Sequence, residues 1–430
     1  MSKQKMCREK IGENIFFSAV SDKKFRHNSL TVNIIAPLDA EKASATAILP
    51  SLLRRSSKKY PDFTALEKEL CNLYGASLSS DISKIGSNIV LSFSILFIDD
   101  NYTLNKEIIQ NRCASLLCDT VLYPKIENGE FDADEFELER KNLIDTIEAE
   151  MNDKRQFSLE RCKEMLYENT DYAVPKYGTL RGACELTSKQ AAERYRELIK
   201  TARIEITFVG CGNPEYAKKS FEKEFSTLER ISESESEPPK LMPAGEVKEK
   251  KCEMEVVQGK LVLGFNLDGR NNSAKDVNAV KLMSIMYGGT PSAKLFVNVR
   301  EKLSLCYYCA ARYDRFTDCI TVDSGIEIEN KEKAQNAILH ELKQLADGNF
   351  TEQEIFEAKM AFMNSLRTVG DSLSAIENFY LTQILLGTDE TPESMIEAIN
   401  AVTAEEVSEA AKRVKLDSIF FLTGKERSSE

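Results

Sequence analysis

The sequence predicts an α+β fold made twice over, a tandem duplication of one unit in which an antiparallel sheet is packed by helices. Three observations point there. First, a chain of 430 residues is too long for one ordinary hydrophobic core, so two domains of about 200 residues are expected. Second, residues 229–251 are polar, charged and interrupted by Pro238, Pro239, Pro243 and Gly245, the composition of a linker. This places an N-terminal domain at residues 1–228 and a C-terminal domain at 252–430. Third, helix-start signals recur in the same order in both halves. Asp132-x-x-Glu135 follows Asn128-Gly129, and Thr351-x-x-Glu354 follows Asp347-Gly348, each with the residues of a capping box. Thr187-x-x-Gln190 is likewise matched by Thr403-x-x-Glu406, and an apolar run of strand length comes after each. Four such signals at nearly one offset mark a repeat.

Residues 14–20 and 29–36 predict two strands that form an opening hairpin around Asp22-Lys23-Lys24. Helical periodicity follows over 43–55 and 63–73, the second helix closed by Gly75 as a C-cap. Strands are predicted at 76–83 and 88–97, turning at Lys84-Ile85-Gly86-Ser87. The apolar run from Ile89 to Ile98 has the length of a buried strand and is too short for a membrane span. Helices dominate from Leu104 to about Leu198, and 204–209 forms a closing strand. Beyond the linker the order begins again, with a strand at 260–267, a helix, a loop, paired strands, more helices and a last strand at 418–423.

An apolar content of 42% is enough for two cores, and a net charge of -12 with pI near 5.1 argues against nucleic acid or an anionic membrane as partner. Lys3, Lys5, Arg8 and Lys10 are not followed by an apolar core of signal-peptide length, so the expected location is the cytoplasm. Eleven cysteines, an odd number, fit free thiols in a reducing compartment. Cys306 and Cys309 fall in a predicted strand, where residues three apart face opposite sides, and they are expected to be small buried hydrophobes rather than metal ligands. Cys113 and Cys118, on a predicted helix, are expected to be the same. No Gly-x-Ser-x-Gly elbow is present, and two histidines, His27 and His340, leave no evident base for a Ser or Cys nucleophile.

The most informative stretch runs from Gly288 to Tyr308. A Gly-Gly turn leads into an apolar helix face at Leu295, Phe296 and Val299, and then into the alternating run through Leu305 and Tyr307. Arg300 lies where that helix gives way to the strand. Two roles are open on these residues alone. Arg300 is a surface cation paired with a carboxylate and Tyr307 a core tyrosine, or the guanidinium fork and the nearby phenol grip a peptide carbonyl or an oxyanion.

The duplicated unit, with Gly288, Gly289, Ser292, Leu295, Phe296, Arg300, Glu301, Lys302, Leu305 and Tyr307 in this spacing, resembles the M16 (insulinase or pitrilysin-like) metallopeptidases, mitochondrial processing peptidase subunits included. The likeness runs over about residues 12–424. It implies two similar domains closing as a clamshell around a peptide. Active relatives carry His-x-x-Glu-His on a first-half helix, two His on the metal and a Glu as general base, with a third ligand from a later helix. Here the matching helix, Ala43 to Arg55, has no His, Asp, Glu or Cys, and the third-ligand position falls at Thr146, among Asp145, Glu148 and Glu150, which without histidine are expected to form a solvated acidic face. No metal and no cofactor are therefore expected in this chain.

The resemblance further implies a non-catalytic subunit. A zinc-bearing M16 sister would hold the metal, while Arg300 and Tyr307 act in trans on its substrate. A peptide or small protein would add to the sheet edge at 76–83, with Ser77 and Ser79 facing it, and the Gly288-Gly289 turn would also line the path. A heterodimer is expected, with a homodimer open. The alternative is a peptide-binding or assembly protein with no part in hydrolysis, for which elongation factor P modification is the pathway the resemblance suggests.

Overall fold

The computed structural model describes residues 6–231, 245–269 and 273–425. In the first half, runs of β-branched and aromatic residues become β1 (Cys7–Gly12), β2 (Ile15–Ser21) and β3 (His27–Pro37). Helices α1 (Ala43–Ala47), α2 (Leu49–Arg55) and α3 (Phe63–Asn72) lead to β4 (Ser77–Ile85) and β5 (Asn88–Ile98). Then come α4 (Gln110–Leu122), the two-residue strands β6 (Ile126–Glu127) and β7 (Glu130–Phe131), α5 (Ala133–Ala149), α6 (Lys154–Leu166), α7 (Leu180–Glu185), α8 (Ser188–Thr201), β8 (Arg203–Gly210) and α9 (Pro214–Phe225). The second half holds β9 (Lys248–Met254), β10 (Gly259–Leu267), α10 (Ala274–Ser284), β11 (Cys306–Asp314), β12 (Cys319–Ile326), α11 (Lys331–Ala346), α12 (Glu352–Val369), α13 (Leu373–Leu386), α14 (Pro392–Asn400), α15 (Ala404–Lys412) and β13 (Val414–Gly424). No helix among the described residues is long and apolar enough to cross a membrane.

Strand order confirms the duplication. The first sheet runs β1-β2-β8-β3-β5-β4 and the second β11-β12-β10-β13-β9. Taken from β9, the second repeats the first from β2 onward, strand for strand. Each sheet contains one parallel pair, β2 with β8 and β13 with β9, where a wholly antiparallel sheet was expected. The opening hairpin is also different from the expected one. β8 lies between β2 and β3 and pairs with both, while the true first hairpin is β1–β2. The physical reason is that β8 is buried along almost its whole length, so its backbone groups need a neighbouring strand at each edge.

Local signals set most element ends. Thr187 with Gln190 and Thr403 with Glu406 form reciprocal capping boxes, and Thr351 and Glu354 exchange the same two bonds, at 2.7 and 3.2 Å. Asp132 caps in one direction only, because the Glu135 carboxylate accepts from Ser56 Oγ at 2.6 Å instead. Asn128 and Gly129, with φ of 50° and 91°, make the tight turn of the β6–β7 hairpin. The helix expected over 43–55 breaks at Ile48, since Pro50 has no amide hydrogen to continue it. Of the expected linker, residues 232–244 lie outside the described residues, and from Lys248 onward the chain is strand β9.

The chain divides into two compact units that cross the expected boundaries. The first takes the N-terminal half to Glu148, resumes at Val174 and adds Gly370–Gly387; the second takes Ala149–Ala173, the C-terminal half to Val369, and Thr388 onward. Helices α6 and α13, each the next helix after the long α5 or α12, thus belong to the unit of the opposite half. In the second unit, Leu159 and Cys162 of α6 pack on Val262, Phe420 and Leu422. In the first, Ile376 and Tyr380 of α13 pack on Val20 and Val209, and Leu381 packs on Ile35 and Val90. The remaining helices of each unit cover the opposite face of its sheet.

Two contacts in this packing lead to measurable consequences. Between α10 and β11 the chain winds through two wide, π-helical turns, Ile285–Gly289 and Leu295–Lys302. A Cβ on Gly288 would stand 2.5 Å from the Ala311 backbone N and 2.8 Å from its Cβ, so only glycine lets β11 approach. Gly288→Ala is expected to displace β11 and to lower stability by about 1–3 kcal/mol, read by denaturant unfolding; unchanged stability would refute the close-packing account.

The second contact is the carboxyl of Glu377 on α13, which accepts from Thr31 Oγ1 at 2.9 Å. Burial lifts it from 4.5 to about 7, against the hydrogen bond from Thr31. Because the folded-state value lies above the unfolded one, the folded protein holds this proton more tightly. Stability from this group is therefore full below about 4.5, declines as pH rises to about 7 and is level beyond. Glu377→Gln should remove that decline and add about 1–3 kcal/mol at pH 8. A parallel pH profile for the two proteins, measured by thermal unfolding, would exclude it.

Candidate functional site

The stretch from Gly288 to Tyr308 is where the second unit departs most from regular geometry. The Leu295–Lys302 turn closes with Leu303 N on Asn298 O and Leu305 N on Val299 O, both at 3.1 Å, and Ser304 takes a φ of 50°. The chain then enters β11 through a bulge. Cys306 opposes Ile326 and Tyr308 opposes Gly325, so Tyr307 is the extra residue with no partner across the ladder.

That bulge joins the two residues singled out from sequence. Arg300 Nε donates to the unpaired Tyr307 carbonyl at 2.9 Å, and its guanidinium lies 4.4 Å from the Phe296 ring centroid, a cation–π contact. Glu301 approaches Arg300 Nη1 only to 3.7 Å, and the arginine side chain is 38% exposed. Tyr307 is 52% exposed, which excludes the core position that was one of its two open roles. Its hydroxyl donates to the Glu327 carboxylate. That negative charge, first through the hydrogen bond and then through space, raises the phenol above its ordinary value.

The same bulge overturns the expectation for the Cys-x-x-Cys. One inserted residue shifts the alternation of the strand, so Cys306 and Cys309 reach the same side and hydrogen-bond to each other. The bond from Cys309 holds the Cys306 thiol below its ordinary value, aided by the Arg300 charge and opposed by burial. Cys309 is buried and its thiol is pushed up by that bond and by burial. Cys113 and Cys118 are buried in α4 as small hydrophobes, and burial raises both thiols.

Sequence reasoning did not find the immediate neighbours of this site. Glu327, which holds the Tyr307 hydroxyl, fits no motif; Phe296 is a motif position, but its stacking on Arg300 was not foreseen. On the other face of the strand, the Tyr308 ring occupies the space above Gly325, where a Cβ would lie 2.5 Å from the ring. The guanidinium of Arg155, from α6, stacks 4.3 Å from the Tyr308 centroid and pairs with Asp323. A tyrosine opposite a strand glycine was the available signal.

The remaining expected site residues sit as follows. Gly288 is buried against Ala311, while Gly289 borders open space. Ser77 and Ser79 lie on the exposed face of β4, the edge strand of the first sheet, and Ser79 Oγ shares a hydrogen bond of 2.7 Å with Ser94 Oγ. β11, which contains Tyr307, is the edge of the second sheet, so both copies present the equivalent edge.

The residues at the expected zinc position do not fit a metal. α1 and the buried face of α2 carry Ala, Ser, Thr, Ile, Leu and Pro packed into the core. Around them the polar groups are used by one another: Arg55 pairs with Glu139 at 2.6 Å, and Arg194 Nε donates to Thr46 Oγ1 at 2.9 Å. Asp145, Thr146, Glu148 and Glu150 are exposed. His27 and His340 are exposed on β3 and α11, and among the described residues no three His, Cys, Asp or Glu side chains gather as a metal would require.

Known proteins place this geometry. A model of the peptidase M16 inactive domain matches residues 185–362. The probable inactive metalloprotease YmfF of Bacillus subtilis (strain 168) is 29% identical over 413 residues, 95% of this chain and 96% of that protein. The crystal structure of a conserved protein from Enterococcus faecalis V583 has a TM-score of 0.91 at 26% identity, covering 99% of this chain and 100% of that one. The peptidase M16 inactive domain from Pseudomonas fluorescens shares the fold, with a TM-score of 0.78 at 15% identity over 99% of both chains. Over nearly its whole length the chain is thus similar to M16 peptidase-like proteins described as inactive, and its first half carries none of the metal-binding residues expected of active relatives.

Proposed function

We propose that this protein is the non-catalytic subunit of a heterodimeric M16-type peptidase. It binds peptide and presents Arg300 and Tyr307 to the active site of a zinc-bearing sister. The observation that carries this reading is the bulge at Tyr307. Anchoring Nε of Arg300 on the bulged carbonyl leaves the terminal guanidinium nitrogens free of that bond, on a side chain that is partly exposed. Positioned donors of this kind stabilise charge that develops on a carbonyl oxygen. In the chain's own first half, the donor-free α1–α2 region offers no metal for them to assist. Peptide would add to the β4 edge past Ser77 and Ser79 by main-chain hydrogen bonds. Zinc would reside only in the sister subunit, and the complex would work in the cytoplasm.

A second reading has its own observation. The Tyr307 hydroxyl is engaged by Glu327 and Arg300 by its own chain, as in a peptide-binding or assembly protein in which the pair merely braces the strand. The two readings separate in a reconstituted complex with a zinc-bearing M16 sister from the same genome. Under the first, Arg300→Ala and Tyr307→Phe assemble normally and lower kcat/KM for peptide cleavage by about 10- to 1,000-fold. Full activity in both assembled variants would leave only the binding role.

A further inference from the structure

Beside Gly289 a cavity of about 510 Å³ opens within the second unit. Lys281 and Ile285 line it from the end of α10, Arg312 and Arg315 from β11 and the turn beyond, and Ala361 and Phe362 from α12. Most of the wall is carbon, yet its three charged side chains are all cations and no carboxylate lines it. In a protein of net charge -12, that local reversal needs a reason.

Arg315 has a partner, Glu390, at 2.6 Å. Lys281 has neither a hydrogen bond nor an ion pair among the described residues. Burial and the neighbouring Arg315 push the Lys281 ammonium down to about 8, and Glu390 offsets this only in part. A largely desolvated cation beside another cation is unfavourable unless an anion joins them. Such groups in a concave site mark ligand positions.

We infer that this cavity binds a small apolar carboxylate, with the carboxylate on Lys281 and the apolar body against Ile285, Ala361 and Phe362. Arg315 is already neutralised by Glu390 and Arg312 is exposed to solvent, so Lys281 alone offers a largely buried, unpaired charge in a mostly carbon wall. That suits a monoanion better than a phosphate, whose greater charge calls for several donors. Two sources share this chemistry, the C-terminal residue of a peptide and a free organic acid. The inference stands whether or not a zinc-bearing sister exists.

The test is calorimetric titration of the full chain with N-acetylphenylalaninate, hexanoate and the neutral amides of both. At least one acid should bind saturably and about tenfold or more tighter than its amide, and weaken as pH rises past about 8, where Lys281 loses its proton. Lys281→Met should abolish the preference for the acid, and Ser365→Phe, which fills the cavity without altering charge, should abolish binding. Binding of the acetylated amino acid alone identifies a peptide C-terminus, and binding of hexanoate identifies a free acid. Equal binding of acid and amide, undiminished binding in both variants, or no saturation by about 20 mM, a concentration at which a fragment of this size is held, would each overturn the proposal.

Discussion

Each sheet in this protein is apolar on both faces, and the fold depends on covering both. Helices that follow in sequence cover one face, through cores centred on residues such as Phe93 and Phe208 in the first unit and Phe265 and Ile320 in the second. Val20, Val209, Ile35 and Val90 then remain on the other face of the first sheet, as do Val262, Phe420 and Leu422 on that of the second. Left in water, several side chains of this size would forfeit about 1.5–3 kcal/mol each. A single helix supplies the cover in each unit, and it is drawn from the other half of the chain. Neither contiguous half can therefore close its own core, so the duplication is preserved as a pair and not as two independent domains.

A second constraint acts locally. The bulge inserts Tyr307 into β11, and three features follow from that one residue. Its carbonyl lacks a ladder partner, so Arg300 Nε can take it. The strand alternation shifts, so Cys306 and Cys309 meet. The following Tyr308 is turned over Gly325 and held by Arg155 from α6, so the helix that covers the second sheet also steadies the strand on which the site is built. A bulge costs ladder hydrogen bonds, and in return it re-aims side chains. Here it brings an arginine and a tyrosine seven positions apart to one place.

The order of elements was legible because it is written in short-range chemistry. The boxes at Thr187, Thr351 and Thr403, the Gly75 cap and the apolar run of β5 each act over a few residues, and all appear as expected. What could not be read was pairing between distant strands. The insertion of β8 between β2 and β3 depends on burial of residues some 170 positions downstream of β3, and no local pattern encodes it. The exchange of α6 and α13 is invisible for the same reason, since an amphipathic helix does not name the sheet it covers. At the site, the motif located Arg300 and Tyr307 but not the bulge, because Cys306 to Ala311 alternate no differently from an unbulged strand. The partner Glu327 followed only from the structure, and Phe296, though part of the motif, showed its contact with Arg300 only there.

The two halves differ in how their polar groups are spent, and that difference bears on function. In the first half, the groups around α1 and α2 satisfy one another, as Arg55–Glu139, Ser56–Glu135 and Arg194–Thr46 show. Nothing there is held in reserve. In the second half, Arg300 uses one nitrogen on its own backbone and leaves the rest partly exposed beside an ion pair of 3.7 Å. Tyr307 keeps its hydroxyl on an exposed carboxylate, where water competes with the bond and a better acceptor can replace it. Lys281 goes further, with no partner at all among the described residues. Purely structural cations on a folded surface are expected to be either solvated or paired. Arg300 and Lys281 are thus held in place with donor capacity that the described residues of their own chain do not fully use, in contrast to the groups around α1 and α2.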